Sequence, residues 1–317
     1  MNVRQVIPRD AIPSIDDPTF GTERVGEPDD EVVAVEASTP KAYPVRVLDY
    51  HEIVNDAVDG DPIAVTWCPL CGSAVVYDRT VDDRVLEFGV SGKLVDDDLV
   101  MYDRETGSEW KQSSGKCIDG PLRGRELRVR PAGVLTWRGF RERYSNGKVL
   151  QPPENAVSEA ASDGDKPTPI EYDEAPYAAY FESDGFGLAA HRGTGDERTW
   201  DYPEFGPKTV VLGLEIGSEA RGFPLPRVES EGGVVHEAVG GTDTVVLATD
   251  DGIHAFENPG FEFDRADNGT IRADGTAWDP ATGSAADGRR LERLPARRLF
   301  AFAWRDDHGV DAFYGRP

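Results

Sequence analysis

Cysteine is scarce in this chain, with three residues in 317, and methionine occurs only twice. Three cysteines do not make a disulfide scaffold. No run approaches 18 apolar residues, so no transmembrane helix is expected. The opening residues, Met1-Asn2-Val3-Arg4-Gln5-Val6-Ile7-Pro8, lack the apolar core of a secretory signal, and the expectation is a cytoplasmic protein. Basic residues are few and mostly arginine: Lys and Arg total 34 against 59 Asp and Glu, a net charge of −25. Little here would neutralise phosphates, which argues against nucleic acid as a partner, and the same charge argues against an anionic membrane surface. The acidic residues are spread along the whole length, a pattern that looks like halophilic adaptation, because strong screening makes self-repulsion cost little. No Gly-x-Ser-x-Gly elbow and no His-Glu-x-x-His is present. Gly89-Val90-Ser91-Gly92-Lys93 lacks the glycine spacing of a phosphate loop and has Leu94 where Ser or Thr is needed, so no nucleotide or flavin is expected. The sequence points to no particular protein partner.

What is there is mostly strand. Glu31–Glu36, Pro62–Trp67, Ala74–Tyr77, Val85–Val90, Leu99–Tyr102 and Leu127–Val129 are β-branched or alternate between apolar and polar. Turn residues separate them at short spacing, among them Asp59-Gly60-Asp61 and Asp96-Asp97-Asp98. Helix signals are few: Asp49–Asp56, and Thr136–Tyr144 with Thr136 as N-cap. The fold class expected is mainly β with a few short helices. Such short, regularly spaced strands do not suit a doubly wound parallel sheet.

The segment 151–166 is rich in Pro, Glu, Asp, Ser and Ala and reads as a linker or solvated loop. Residues 169–207 carry aromatics without periodicity and read as an irregular connector that packs on something else. Beyond it the chain echoes itself. Val32-Val33-Ala34-Val35-Glu36 recurs as Val211-Leu212-Gly213-Leu214-Glu215, and Ala42-Tyr43-Pro44-Val45 as Gly222-Phe223-Pro224-Leu225. Ala57-Val58-Asp59-Gly60 recurs as Ala238-Val239-Gly240-Gly241, and Tyr102–Ser108 resembles Trp278–Ser284. These echoes predict two related β-rich repeats forming a two-lobed unit. The organisation expected is an N-terminal repeat over 1–150, the linker and aromatic connector over 151–207, and a C-terminal repeat over 208–317 that lacks the cysteine turn.

The strongest chemical signal is Trp67-Cys68-Pro69-Leu70-Cys71-Gly72. Pro fixes φ and Gly permits the left-handed conformation, so both sulfurs can point to one side. No helix pattern follows, unlike in a thioredoxin-like redox motif. The turn therefore reads as half of a zinc-ribbon or rubredoxin knuckle, but the chain has no second Cys-x-x-Cys to complete it. His51, 17 residues before Cys68, is the expected third ligand. Met101 and Cys117 are further candidates, each weighed against a plain core role. Two thiolates with a His or a thioether favour copper(I), with zinc second. Glu52, Asn55 and Asp56 follow His51 and are expected to orient the ligands around the ion, with His51 and Asn55 on one helical face.

His51–Asp56 and Ala64–Ala74 together resemble the family named domain of unknown function 3179. So do Phe88–Leu94, Leu99–Ser108, Asp10–Pro18, Asp173–Tyr177 and Glu215–Leu225. With its acidic composition the chain resembles a haloarchaeal member. The resemblance implies no assigned activity. It links His51 to the cysteine turn, since both fall in its signature blocks, and it implies other members without a cysteine at the place of Cys117. It also implies relatives that are exported, whereas this chain shows no export signal. Three functional readings follow: a soft-metal (copper or zinc) binding or handling protein, a thiol–disulfide oxidoreductase using Cys68 and Cys71, and a non-catalytic binding or scaffold module. Whether the chain is an enzyme stays open at this point.

Overall fold

The computed structural model describes residues 2–162, 166–193 and 197–315; positions 163–165 of the expected linker lie outside them. The chain opens with β1 (Val3–Gln5), the hairpin β2 (Glu31–Val35) and β3 (Lys41–Pro44), and the helix α1 (Val45–His51). The strands β4 (Ile53–Val58), β5 (Asp61–Cys68), β6 (Ser73–Asp78), β7 (Phe88–Val95), β8 (Asp98–Asp103), β9 (Glu109–Lys111) and β10 (Cys117–Asp119) follow, then α2 (Trp137–Arg143). Two short helices lie in the aromatic connector, α3 (Ala178–Glu182) and α4 (Gly187–Arg192). The last part carries β11 (Val210–Ile216), β12 (Glu219–Pro224), α5 (Leu225–Ser230), β13 (Val234–Val239), β14 (Thr242–Thr249), β15 (Gly252–Glu257), β16 (Ala296–Phe300) and α6 (Ala301–His308). The protein is thus mainly β with six short α-helices among the described residues. None of them is long and apolar enough to cross a membrane.

Two sheets position the cysteine turn. A six-stranded sheet runs β12-β11-β16-β6-β5-β4, antiparallel at every step. It joins strands from the start and the end of the chain, through Arg298 on β16 and Ala74 on β6. A five-stranded sheet runs β1-β7-β8-β9-β10. Between them lies a core holding Cys68, Cys71, Val75, Phe88, Met101, Trp110, Phe302 and Trp304. Aromatics of the connector, Tyr180, Phe186, Tyr202 and Phe205, are buried in the same core, which explains side chains that show no periodicity of their own.

The order hairpin, helix, three strands occurs twice, as β2-β3-α1-β4-β5-β6 and as β11-β12-α5-β13-β14-β15. Register agrees as well: Val32 faces Pro44 as Val211 faces Pro224, and Val58 faces Asp61 as Val239 faces Thr242.

α2 forms where expected, with the Thr136 hydroxyl accepting from the Gly139 N–H. The expected helix over Asp49–Asp56 is corrected. α1 starts earlier and stops at His51, Glu52 turns the chain at φ 57°, and the β-branched Ile53-Val54 opens a strand. His51 and Asn55 therefore share no helical face. Leu127–Val129 forms only isolated bridges, from its flank at Glu126 to Lys116 and from Val129 to Tyr77. Val85–Val90 is split between a two-residue strand and β7.

Asn55 ties the two sheets together. Its side-chain amide donates to Phe88 O (2.8 Å) and Asp16 Oδ1 (2.7 Å) and accepts from Phe88 N (2.9 Å), standing in for a strand partner. Asn55→Ala leaves a buried N–H and C=O without partners, at about 1–3 kcal/mol each. A loss of about 3 kcal/mol in denaturant unfolding is expected; a loss below about 1 kcal/mol would mean water replaces the amide.

Candidate metal centre at the cysteine turn

β5 runs into the turn at Cys68 and β6 leaves it, with Cys68 opposite Ser73. Gly72 sits at φ 54°, as the sequence required of it. A Cβ at Gly72 would lie 2.6 Å from the Phe300 ring, so the position needs glycine twice over. The turn is pinned from outside its own hairpin. Phe300 N donates to Cys71 O (2.7 Å), Arg298 donates to Gly72 O (2.7 Å), and the Tyr180 hydroxyl donates to Leu70 O (2.7 Å). The backbone that carries the sulfurs is therefore set by β16 and α3.

Cys68, Cys71 and Cys117 are all free thiols. Cys68 and Cys71 come together with Asp98, the first residue of β8, which sequence reasoning missed. The two sulfurs and a carboxylate oxygen lie within 4.8 Å of one another, and all three residues are buried. Cys71 Sγ also contacts Asp97 O at 3.4 Å. Burial, then the hydrogen bond with Cys68, pushes the Cys71 thiol well above the ordinary range. Asp98 is pushed up to about 6, by burial against the opposing pull of Lys111. Its Oδ2 receives Ser113 N (3.2 Å) and lies 3.8 Å from Lys111 Nζ. Lys111 also binds Asp307. Asp98 Oδ1 is buried with no hydrogen-bond partner.

Neither His51 nor Cys117 is in this group. His51 is buried with both ring nitrogens engaged, Nδ1 with Pro13 O (2.8 Å) and Nε2 with the Tyr172 hydroxyl (2.6 Å). The carbonyl can only accept, so Nδ1 carries the proton and the Nε2 lone pair takes the tyrosine hydrogen. Burial lowers this histidine to about 4, which keeps it neutral. Met101 is a fully buried β8 residue facing Val90 and Trp110. Cys117 lies on β10, its thiol 3.3 Å from Asp119 O. Asn55 is the clamp described above, and Asp56 binds Lys41 (2.7 Å) and the Tyr43 hydroxyl (2.6 Å).

A family model described as "Protein of unknown function (DUF3179)" matches residues 9–313. The chain belongs to this family. No curated protein and no solved structure matches it.

In this DUF3179 chain a small cavity of about 60 Å³, partly open to solvent, reaches Cys68. Its walls are mixed, with apolar Ile12, Leu70 and Leu188 beside Glu52, Glu159, Tyr177, His191 and Arg192. Glu159 and Arg192 pair at 2.8 Å. Glu52 is held by its backbone, its N–H donating to Leu48 O and its C=O accepting from Trp67 N. A positive φ is costly for a glutamate and persists only where the surroundings fix it. Its carboxyl is buried, and Oε2 has no partner.

Burial, then Glu159 and Asp49, pushes Glu52 up to about 8. The folded state therefore keeps a proton that an unfolded Glu52 releases near the ordinary value of 4.5. Stability from this group is present below that value and is lost as pH rises toward about 8, by at most about 1.4 kcal/mol per pH unit. Glu52→Gln has no such loss. In urea unfolding of ion-free protein, the variant should gain on wild type between pH 6 and pH 8. An unchanged difference would mean Glu52 is ionised at both.

Proposed function

We propose that the chain is a metal-binding protein and that Cys68, Cys71 and Asp98 hold the ion. The observation that carries this reading is three buried donor atoms within 4.8 Å of one another, on residues that include Asp98, whose Oδ1 is buried without a hydrogen-bond partner. A tetrahedral ion with bonds of about 2.3 Å spaces its ligands about 3.7 Å apart, so the group closes on an ion by moving about 1 Å or less. Two thiolates and a carboxylate suit zinc, since copper(I) favours sulfur and nitrogen over a hard oxygen. Lys111, close to Asp98, offsets part of the negative charge of the loaded site.

A dithiol–disulfide couple has less support. β6 rather than a helix follows the turn, so no helix N-terminus stabilises a thiolate there.

Competition with a chromophoric chelator tests the metal reading. Wild type should hold zinc at about one ion per chain, and Asp98→Asn should weaken the affinity by more than about 10-fold, since even outer-sphere changes cost 10–100-fold. Equal affinities would remove Asp98 from the ligand set.

A further inference from the structure

Zinc sites with four protein donors are closed, while those with three leave a position for water or another molecule. Among the described residues the cysteine-turn group supplies three. One of them, Cys68, lines the cavity that opens to solvent. Glu52 lines the same cavity, buried and with Oε2 unpartnered, so one oxygen of its carboxyl lacks the hydrogen bond a buried polar atom normally has. The cations along this wall are taken: Arg192 pairs with Glu159 at 2.8 Å and Lys93 with Glu109 at 2.5 Å. A charged anion would find no free counterion there. The remaining walls include apolar Ile12, Leu70 and Leu188 beside the polar rings of Tyr177 and His191.

We propose that the metal centre is open and that its fourth position faces this cavity and takes an exogenous ligand. The ligand is small and uncharged. It has one lone-pair donor for the ion, one polar group for Glu52 and an otherwise apolar body, the chemistry of a small alcohol, thiol or imidazole. This rests on the metal reading above and adds that the ion is accessible, which makes the centre a ligand-binding one rather than a purely structural staple. Glu52 is a positioning residue for the incoming molecule, and α4, which supplies Leu188, forms part of the wall.

Cobalt(II) loaded in place of zinc reports both claims separately. The full chain with cobalt should show thiolate-to-metal absorption. Titration with imidazole as the probe should then shift the visible cobalt bands in a saturable way. Leu188→Trp, which fills the cavity, should weaken imidazole binding by about 10-fold or more and leave the thiolate absorption unchanged; tenfold corresponds to about 1.4 kcal/mol. Glu52→Gln keeps the shape of the wall and should weaken it less. Cobalt bands that ignore imidazole would establish a closed site and overturn the proposal while leaving metal binding intact. Wild-type response retained in Leu188→Trp would also overturn it, by placing the open position elsewhere. Absence of any thiolate absorption in wild type would overturn the metal reading and the open site together.

Discussion

Chains carrying both Cys68→Ser and Cys71→Ser are expected to retain no tightly held soft metal, where wild type retains about one ion. The two sulfurs supply most of the charge and all of the softness of the donor group, leaving Asp98 as its one remaining member. A neutral serine hydroxyl is a poor substitute for a thiolate toward zinc or copper(I). The loss should exceed the 10–100-fold typical of changes around a metal site, so the ion should not survive gel filtration. Cys117→Ser is the matched control, because its thiol contacts Asp119 O and lies outside the group. It should retain metal and lose at most about 1–3 kcal/mol of stability for a buried hydroxyl. Elemental analysis of the proteins side by side reads both outcomes. Equal metal in the double variant and wild type would place the ion elsewhere.

The second large effect is expected at Gly72. Its φ of 54° is strained for any residue with a Cβ, at about 1–2 kcal/mol. The added methyl would also sit 2.6 Å from the Phe300 ring, and overpacking of this kind costs about 1–3 kcal/mol. Phe300 cannot move freely, because its own N–H holds Cys71 O. Gly72→Ala should therefore lower unfolding free energy by about 2–5 kcal/mol and weaken metal binding, since relaxing the clash displaces Cys71. Gly107 separates the two causes. It has φ 70° with open space where a Cβ would go, so Gly107→Ala carries the backbone cost alone. Matching losses at the two glycines would show that the Phe300 contact yields at little cost.

The cysteine hairpin was legible because local signals agree there: short apolar, β-branched runs on both strands, proline inside the turn and glycine at its end. The β-rich class followed from the same short-range rules. Asp98 was not legible. It closes an acidic triplet, and Asp96 and Asp97 do form a turn at φ 52° and 68°. Only the packing of β8 beside the β5–β6 hairpin turns the third aspartate into a buried donor. His51 is a different case. It stands near the cysteines in sequence blocks, but α1 ends on it and commits its ring to Pro13 and Tyr172. The strand–helix boundary at Glu52 depends on a positive φ in a non-glycine residue, which no composition rule marks. Three of the echoes lie on elements that follow the same order in the two parts of the chain, while β16 enters the central sheet beside β6. That pairing, remote in sequence, supplies Phe300 and Arg298 to the cysteine turn and could not be read from either part alone.

The most direct test of a metal centre at this turn is X-ray absorption at the zinc edge, on protein purified in high salt and equilibrated with zinc. Two sulfur scatterers at about 2.3 Å, with the remaining ligands oxygen or nitrogen at about 2.0–2.2 Å, are expected. A shell of light atoms only, or no retained ion, would contradict metal binding by Cys68 and Cys71.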